Sequence, residues 1–287
     1  MTKVLVTGAT GKVGAHTVRE LIQRGASVRA FARDPEKAAT RLGDGVEVAV
    51  GDLDDPVSVR LAMRGADRVV LISANGPNEA AHEIGVIDAS AAAWVERIVK
   101  LSAVGANSGS ALLFSDAHGR GEEHLRQAAV PSVVLQANFL MSTLLASAET
   151  IRAAGQIFAS AADAKIAMVD PRDVAGCLAA AVMAEGDDSH TYVVSGPQAI
   201  TYADVAEVLS GVLGRPVRYV DVPDEVLRGA MLDSGAPEWL ADGVSGVYGQ
   251  IRAGLTAQTT DSVLRLTGQN PRSFAEFARD HRSAFEP

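Results

Sequence analysis

Three glycines at fixed spacing, beginning at residue 8, constrain this chain more than any other feature. Lys3–Thr7 is a short apolar, β-branched run that reads as a buried strand. Gly8-Ala9-Thr10-Gly11-Lys12-Val13-Gly14 follows at once, and Lys12–Arg24 then repeats Val13, Thr17, Leu21 and Ile22 at helical spacing. Strand, glycine turn and helix in that order form the opening unit of a doubly wound α/β sheet. Gly8 permits the tight turn, Gly11 lets backbone approach a pyrophosphate, and Gly14 lets the helix lie close to the sheet. The helix N-terminus adds N–H donors and the positive end of its dipole. Gly8, Thr10, Gly11, Lys12, Val13 and Gly14 are therefore expected on a dinucleotide pyrophosphate. The bland alternative is a glycine turn with no ligand.

The same rhythm continues through the first half. Ser27–Ala32, Val46–Val50, Asp67–Ser73, Arg97–Ser102 and Ser132–Gln136 read as strands. Pro35–Leu42, Pro56–Arg64, Glu79–Ala93 and Leu112–Ala129 read as the helices between them. Strands separated by helices make parallel sheets, whose strands are apolar on both faces. Beyond residue 138 the order loosens. Phe139–Ala154, Asp173–Glu185, Thr201–Leu213 and Ser273–Phe285 look helical, with Thr201 as an N-cap; Thr191–Ser195 and Val217–Val220 look extended. The expectation is a Rossmann-type doubly wound parallel sheet with a smaller C-terminal α/β lobe. Residues 1–138 would form the NAD(P)-binding core. Residues 139–287 would mostly form a substrate lobe, with about 170–196 returning to the core.

Composition removes several classes. A chain of 287 residues with 47% hydrophobic content can bury a real core. Its 26 basic against 35 acidic side chains give a net charge of −9, which argues against a nucleic-acid face. Cys177 is the only cysteine, so no disulfide framework and no cysteine zinc site is expected. The most apolar run, Val174–Ala184, is far short of the roughly 20 residues of a membrane span. The N-terminus enters a strand with no signal-peptide pattern, so a cytoplasmic location is expected.

The end of the second strand bears on which dinucleotide is bound. Phe31-Ala32-Arg33-Asp34-Pro35 places Arg33 ahead of the acid, with Lys37 a turn later. An arginine there suits a 2′-phosphate by bidentate contact, and Lys12 adds charge nearby. NADP is favoured; Asp34 keeps NAD open. Asp52 and Leu53, after the third strand, are expected at the adenine, with Asp52 as a helix cap before Pro56 the alternative. Ser73, Ala74 and Asn75, after the fourth strand, are also placed on the cofactor.

Together these segments resemble the NmrA-like branch of the atypical short-chain dehydrogenase/reductases. The resemblance rests on Val6-Thr7-Gly8-Ala9-Thr10-Gly11-Lys12-Val13-Gly14, Arg33-Asp34-Pro35, Gly51-Asp52-Leu53 and Leu101-Ser102-Ala103. It continues through Asn138-Phe139-Leu140-Met141, Asp170-Pro171-Arg172-Asp173-Val174-Ala175, Thr191–Pro197 and Thr201–Ala206. It implies a Rossmann fold, NADP, and reduction of quinones, azo dyes, triphenylmethane dyes or polycyclic quinones of aromatic polyketide pathways. It also implies a regulator class that binds the dinucleotide as a redox sensor without turnover. Asn138 and Phe139 are expected near the cofactor on this ground. Many relatives carry Leu-Arg-Pro before that asparagine; this chain has Leu135-Gln136-Ala137.

Standard members of the wider family use Tyr-x-x-x-Lys after the fifth strand. Here Tyr192, Tyr202, Tyr219 and Tyr248 all lie later, and none has lysine four residues on. The expected helix instead carries His118-Gly119-Arg120-Gly121-Glu122, with His118 and Glu122 on one face. This looks like a His-x-x-x-Glu variant of dye- and quinone-reducing relatives. Ser102 ends the fifth strand, where the standard family keeps a carbonyl-binding serine. His118, Ser102 and Glu122 are the catalytic candidates and Ser102 a cofactor contact as well. A surface or capping histidine and a backbone-bonding serine are the alternatives. The other five histidines show no metal-like spacing, and no metal is expected.

Loss of the tyrosine favours an acceptor whose reduced anion is stabilised. Hydride addition to a quinone gives a phenolate with a pKa of roughly 10, which needs no dedicated acid. The expected activity is NADPH-dependent reduction of a quinone-like or polycyclic aromatic small molecule. An oxygenase partner enters if the hydroquinone feeds a hydroxylation; monomer and homodimer both stay open.

Overall fold

The computed structural model describes residues 1–43, 45–186 and 189–286. It opens as the spacing predicts: β1 (Lys3–Val6), α1 (Gly14–Gln23), β2 (Ser27–Ala32), α2 (Pro35–Leu42), β3 (Glu47–Val50), α3 (Pro56–Met63) and β4 (Arg68–Leu71). α4 (Glu79–Ala92), β5 (Arg97–Ala103), α5 (Leu113–Gln127) and β6 (Ser132–Ala137) follow, then a 3-10 turn at Met141–Ser147. The later elements are α6 (Ala148–Ala154), β7 (Gln156–Ala159), α7 (Pro171–Met183), β8 (His190–Val194), α8 (Tyr202–Leu213) and β9 (Arg218–Asp221). α9 (Asp224–Asp233), α10 (Glu238–Arg252), α11 (Ser262–Thr267), α12 (Phe274–Asp280) and α13 (Arg282–Phe285) close the chain.

Seven strands form one sheet in the order β3-β2-β1-β4-β5-β6-β8. The β1–β2, β2–β3, β1–β4 and β4–β5 ladders are parallel. Helices cover both faces of such a sheet, which is why the strands read as unbroken apolar runs. Val4, Val6, Val69, Val70, Leu71, Ile98 and Val99 are fully buried. Strand order reverses between β1 and β4, and this reversal fixes where a ligand can enter.

The chain divides into two compact units. The first takes Met1–Gln136, Pro171–Val193 and Arg265–Gly268, so α7 returns to pack on α1 and β5. The second takes Ala137–Asp170, Val194–Leu264 and Gln269–Pro287. Its core gathers Met141, Ile151, Ile157, Val205, Leu209, Ile251 and Phe277 around the parallel β7–β9 pair.

Four expectations change. Phe139–Ala154 is not one helix, because Phe139 and Leu140 are drawn into an extended bridge with Val169 before the 3-10 turn begins. β7 has no counterpart in the sequence reading. Ser273–Phe285 breaks at His281, whose ring stacks on Phe277 and bonds its carbonyl. Ile22 is 46% exposed; α1 instead buries Gly14, Ala15, Thr17, Val18 and Leu21.

Candidate active site

In open α/β sheets ligands enter the crevice outside the carboxyl ends of the strands, where strand order reverses. Here that point lies between β1 and β4, and the glycine loop leaves β1 directly into it. Gly8 has φ +58, and a Cβ there would meet the Ile72 carbonyl at 2.8 Å. A Cβ on Gly14 would overlap the Gly8 carbonyl oxygen. Gly11 N–H donates to the Gly8 carbonyl at 2.9 Å. The first turn of α1 holds no acidic residue, and Val13 at its N-cap supplies no side-chain acceptor. The Ala15 N–H donates to the Gly11 carbonyl at 3.1 Å, and the positive end of the helix dipole faces the loop. Thr10 lines this loop half-buried, and Lys12 is exposed beside it.

The second strand ends at Ala32 and is followed by Arg33 and Asp34. Asp34 caps α2, its Oδ1 accepting the Lys37 backbone N–H at 2.9 Å. That cap engages one of the two carboxylate oxygens. Arg33 stands 81% exposed with Asp52 Oδ2 3.9 Å away, and Lys37 is exposed. Asp52 is not the helix cap of the alternative reading. Asp55 caps α3 by accepting the Val57 N–H, while Asp52 Oδ1 accepts the Asp54 N–H at 3.1 Å. Leu53 is half-buried against the cluster that contains Phe31.

Thr7 stitches the reversal point together. Its hydroxyl donates to the Ile72 carbonyl at 2.8 Å and accepts the Ile72 N–H at 2.9 Å. Ser73 comes next and is half-buried; Ala74 and Asn75 are exposed. Behind Ser73 lies a buried ionic cluster that the sequence reading did not anticipate. Ser73 Oγ is 3.1 Å from Glu79 Oε1 and 2.9 Å from Glu83 Oε1, both on α4. Lys100 Nζ, from β5, is 3.0 Å from Glu83 Oε1, and both side chains are fully buried. His118 Nδ1 is 3.3 Å from Glu83 Oε1, and its Nε2 is 3.5 Å from Glu79 Oε1. His118 is therefore neither a surface nor a capping residue.

Period-two alternation along β5 puts Lys100 and Ser102 on one face, and i,i+4 spacing on α5 brings His118 and Glu122 to it. The two α5 residues nevertheless serve different partners. Glu122 Oε1 accepts from Ser102 Oγ at 2.5 Å, and Gln136 Nε2 donates to both Glu122 oxygens at 3.0 and 3.1 Å. Ser102 thus bonds a carboxylate rather than backbone. Gln136 and Ser102 together hold Glu122 in position.

Burial pushes Glu79 above the ordinary carboxylate range, and neighbouring Glu83 adds to it. Burial acts on Glu83 as well, but its bond to His118 and the Lys100 ammonium outweigh that and hold it low. Glu79, Glu83 and His118 bring three ligand-type atoms within 4.8 Å of one another. The Lys100 ammonium already stands among them as the cation, and we assign no metal here.

Two consequences follow for stability. Glu79 holds its proton more tightly when folded than in the unfolded chain, where a glutamate titrates near ~4.3. The native state then binds more protons, so this group's contribution falls as pH rises from ~4.3 through the raised folded value. Glu83 has the opposite sign: its contribution is present above ~4.3 and is lost as pH falls through the lowered folded value. Unfolding midpoints of Glu79→Gln against wild type between about pH 4.5 and 7.5 should show the variant losing the downward slope. Separately, a Cβ on Gly121 would overlap Glu83 Oε2 and come within 2.8 Å of Lys100 Cε. Gly121→Ala is expected to destabilise by about 1–3 kcal/mol, read from the urea midpoint.

Asn138 and Phe139 lie in the second unit. Asn138 is buried and hydrogen-bonded: its N–H donates to the Val194 carbonyl, its Nδ2 to the Thr256 carbonyl, and its Oδ1 accepts the Phe139 N–H. Those bonds give it a clear structural task at the start of that unit.

A family model for the NmrA-like family matches residues 1–278. The NAD(P)H azoreductase of Xenophilus azovorans is 33% identical over 282 residues, covering 98% of this chain and 99% of that one. A Streptomyces griseus (4-alkanoyl-5-oxo-2,5-dihydrofuran-3-yl)methyl phosphate reductase is 38% identical over 285 residues, covering 99% of each. The NADPH-dependent quinone oxidoreductase of Escherichia coli, solved with NADPH, superposes with a TM-score of 0.88 at 26% identity, covering 98% and 99% of the two chains. With its phosphate loop, strand order and full-length match in agreement, the chain belongs to the NmrA-like family.

Proposed function

We infer that this chain, an NAD(P)H-dependent oxidoreductase, reduces a quinone-like, conjugated small molecule with NADPH. The observation that carries the reading is the face of α5 turned to β5. It presents His118 and Glu122, while the chain's tyrosines stand on β8, α8, β9 and α10. A simple ketone would leave a strongly basic alkoxide, which this face has no tyrosine to protonate. A quinone leaves an anion with a pKa of roughly 10, so positioning suffices.

Bound NADPH would supply the hydride. Gly8, Gly11 and Gly14 with the α1 N-terminus would hold its pyrophosphate, and Arg33 with Lys37 its 2′-phosphate. Asp52, Leu53, Ser73, Ala74 and Asn75 rim the same strand ends. Ser102, fixed by Glu122, would orient the acceptor's oxygen. The relatives' names support this class, since quinone and azo acceptors both take a hydride into a conjugated system. A hydroquinone product is electron-rich and reacts with oxygen, which suits a place ahead of an oxygen-dependent hydroxylation in aromatic polyketide assembly.

The test is NADPH oxidation at 340 nm against a panel of benzo-, naphtho- and anthraquinones. Turnover with at least one is expected. Tight NADP(H) binding with no turnover on any member would replace this reading with that of a dinucleotide sensor.

A further inference from the structure

The loop after β3 is tied to the start of α4 by contacts that none of the roles above uses. Residues 51–55 leave the carboxyl end of β3 and carry Asp52 and Leu53. The base of this loop is fixed by close packing: a Cβ on Gly51 would meet Phe31 Cε2 at 2.5 Å and Ser58 Cβ at 2.7 Å. Ser58 Oγ accepts the Asp52 N–H at 3.1 Å and lies 2.9 Å from the Asp52 and Asp55 carbonyl oxygens.

The tip is held by another element. Asp54 Oδ1 lies 2.7 Å from His82 Nε2 and accepts from Asn78 Nδ2 at 3.2 Å. Asn78 is the N-cap residue of α4 and His82 stands four residues on, so both project from one face of its first turn. An asparagine at an N-cap ordinarily accepts a backbone N–H of its own helix. Asn78 makes no such side-chain bond, and its amide serves Asp54 instead. The bond from His82 holds the Asp54 carboxyl below the usual carboxylate range, with smaller contributions from Asn78 and Arg33.

Strand order shows what this tie spans. In the run β3-β2-β1-β4, β3 and β4 stand on either side of β2 and β1. At about 4.8 Å per strand their ends are roughly 14 Å apart. The tie therefore links loops that flank β2 and β1, the strands that run into Arg33 and the glycine loop. Those are the places proposed above for the 2′-phosphate and the pyrophosphate, so the adenosine end of the dinucleotide would fall between the linked loops.

We propose that Asp54, Asn78 and His82 form a clasp that holds the loop of residues 51–55 in place for the adenine end of the dinucleotide. This rests on the nucleotide placement given under the proposed function and extends it to side chains that act through Asp52 and Leu53. The three are positioning residues. A loop that is correctly placed only part of the time binds more weakly by that fraction. NADPH and NADH carry the same adenine, so the clasp serves both alike, whereas Arg33 serves the 2′-phosphate alone.

The test measures dissociation constants for NADPH and NADH by nicotinamide fluorescence, and for ADP by displacement of NADPH. His82→Leu should weaken all three by about 10-fold, the result of a loop in place about a tenth of the time. His82→Gln should restore most of the affinity, because its Nε2 can donate to the same carboxylate. The urea midpoint of His82→Leu should stay near that of wild type, since Asp54 is exposed and the pair lies at the surface. Asp54→Ala, read on NADH and ADP, answers the question even if His82→Leu folds poorly. Unchanged affinities, a loss confined to NADPH, or a loss that tracks a fall in the urea midpoint would each overturn the clasp. Failure of wild type to bind any of the three would instead remove the nucleotide placement, and the clasp with it.

Discussion

Lys100→Met is expected to destabilise the protein by about 3–5 kcal/mol, among the largest effects any single substitution here should have. The reason is the carboxylate left behind. Glu83 is fully buried and kept ionised by Lys100 at 3.0 Å and by His118. Removing the ammonium strands that charge with too few partners in a low-dielectric interior. A loss of that size is a large part of the 5–15 kcal/mol that holds typical domains together. The double variant Lys100→Met, Glu83→Gln should recover most of it, because the stranded charge goes with the second change. Urea unfolding of the four proteins in this cycle measures the coupling. Near-additive losses would mean that Lys100 and Glu83 are not energetically coupled.

Arg33→Ala should raise the KM for NADPH about 10- to 100-fold, the worth of one charge-assisted bidentate contact. The KM for NADH should stay within about twofold, since NADH lacks the 2′-phosphate that Arg33 would meet. The effect should shrink with added salt, because the side chain is 81% exposed and open to screening. Asp34 sharpens the expectation. Its Oδ1 is held by the Lys37 N–H as the cap of α2 whether or not Arg33 is present, so removing Arg33 creates no new acid for the NADH ribose. An unchanged NADPH-to-NADH preference in Arg33→Ala would refute the assignment of the 2′-phosphate site.

The glycine turn between β1 and α1 and the cap of α2 were legible because their signals are local. Gly8, Gly11 and Gly14 act within seven residues, and Pro35 behind Asp34 marks the start of α2. The first half of the fold was legible for the same reason: each strand and helix carries its own period. The ionic cluster is different in kind. Glu79 and Glu83 are ordinary on a helix, and Lys100 reads as one charge in the run Arg97–Ser102. Only the packing of α4 and α5 beside β5 turns them inward. Gly121 was the one clue in the sequence, a residue with no side chain between His118 and Glu122, where the Glu83 carboxylate needs the space. β7 escaped because four residues carry little periodicity, and its partner β9 lies some sixty residues away.

The first unit is assembled from separated stretches of chain, and that has a consequence for synthesis. β1 to β6 are complete once Ala137 has emerged, yet α7, which covers α1 and β5, ends at Met183 and β8, which pairs with β6, only at Val194. At ordinary translation rates the nascent sheet waits several seconds with one face and one edge open. Chaperone holding or ribosome-proximal shielding should therefore matter for yield over that interval, and slowing translation between residues 137 and 194 should lengthen the exposed period and promote aggregation.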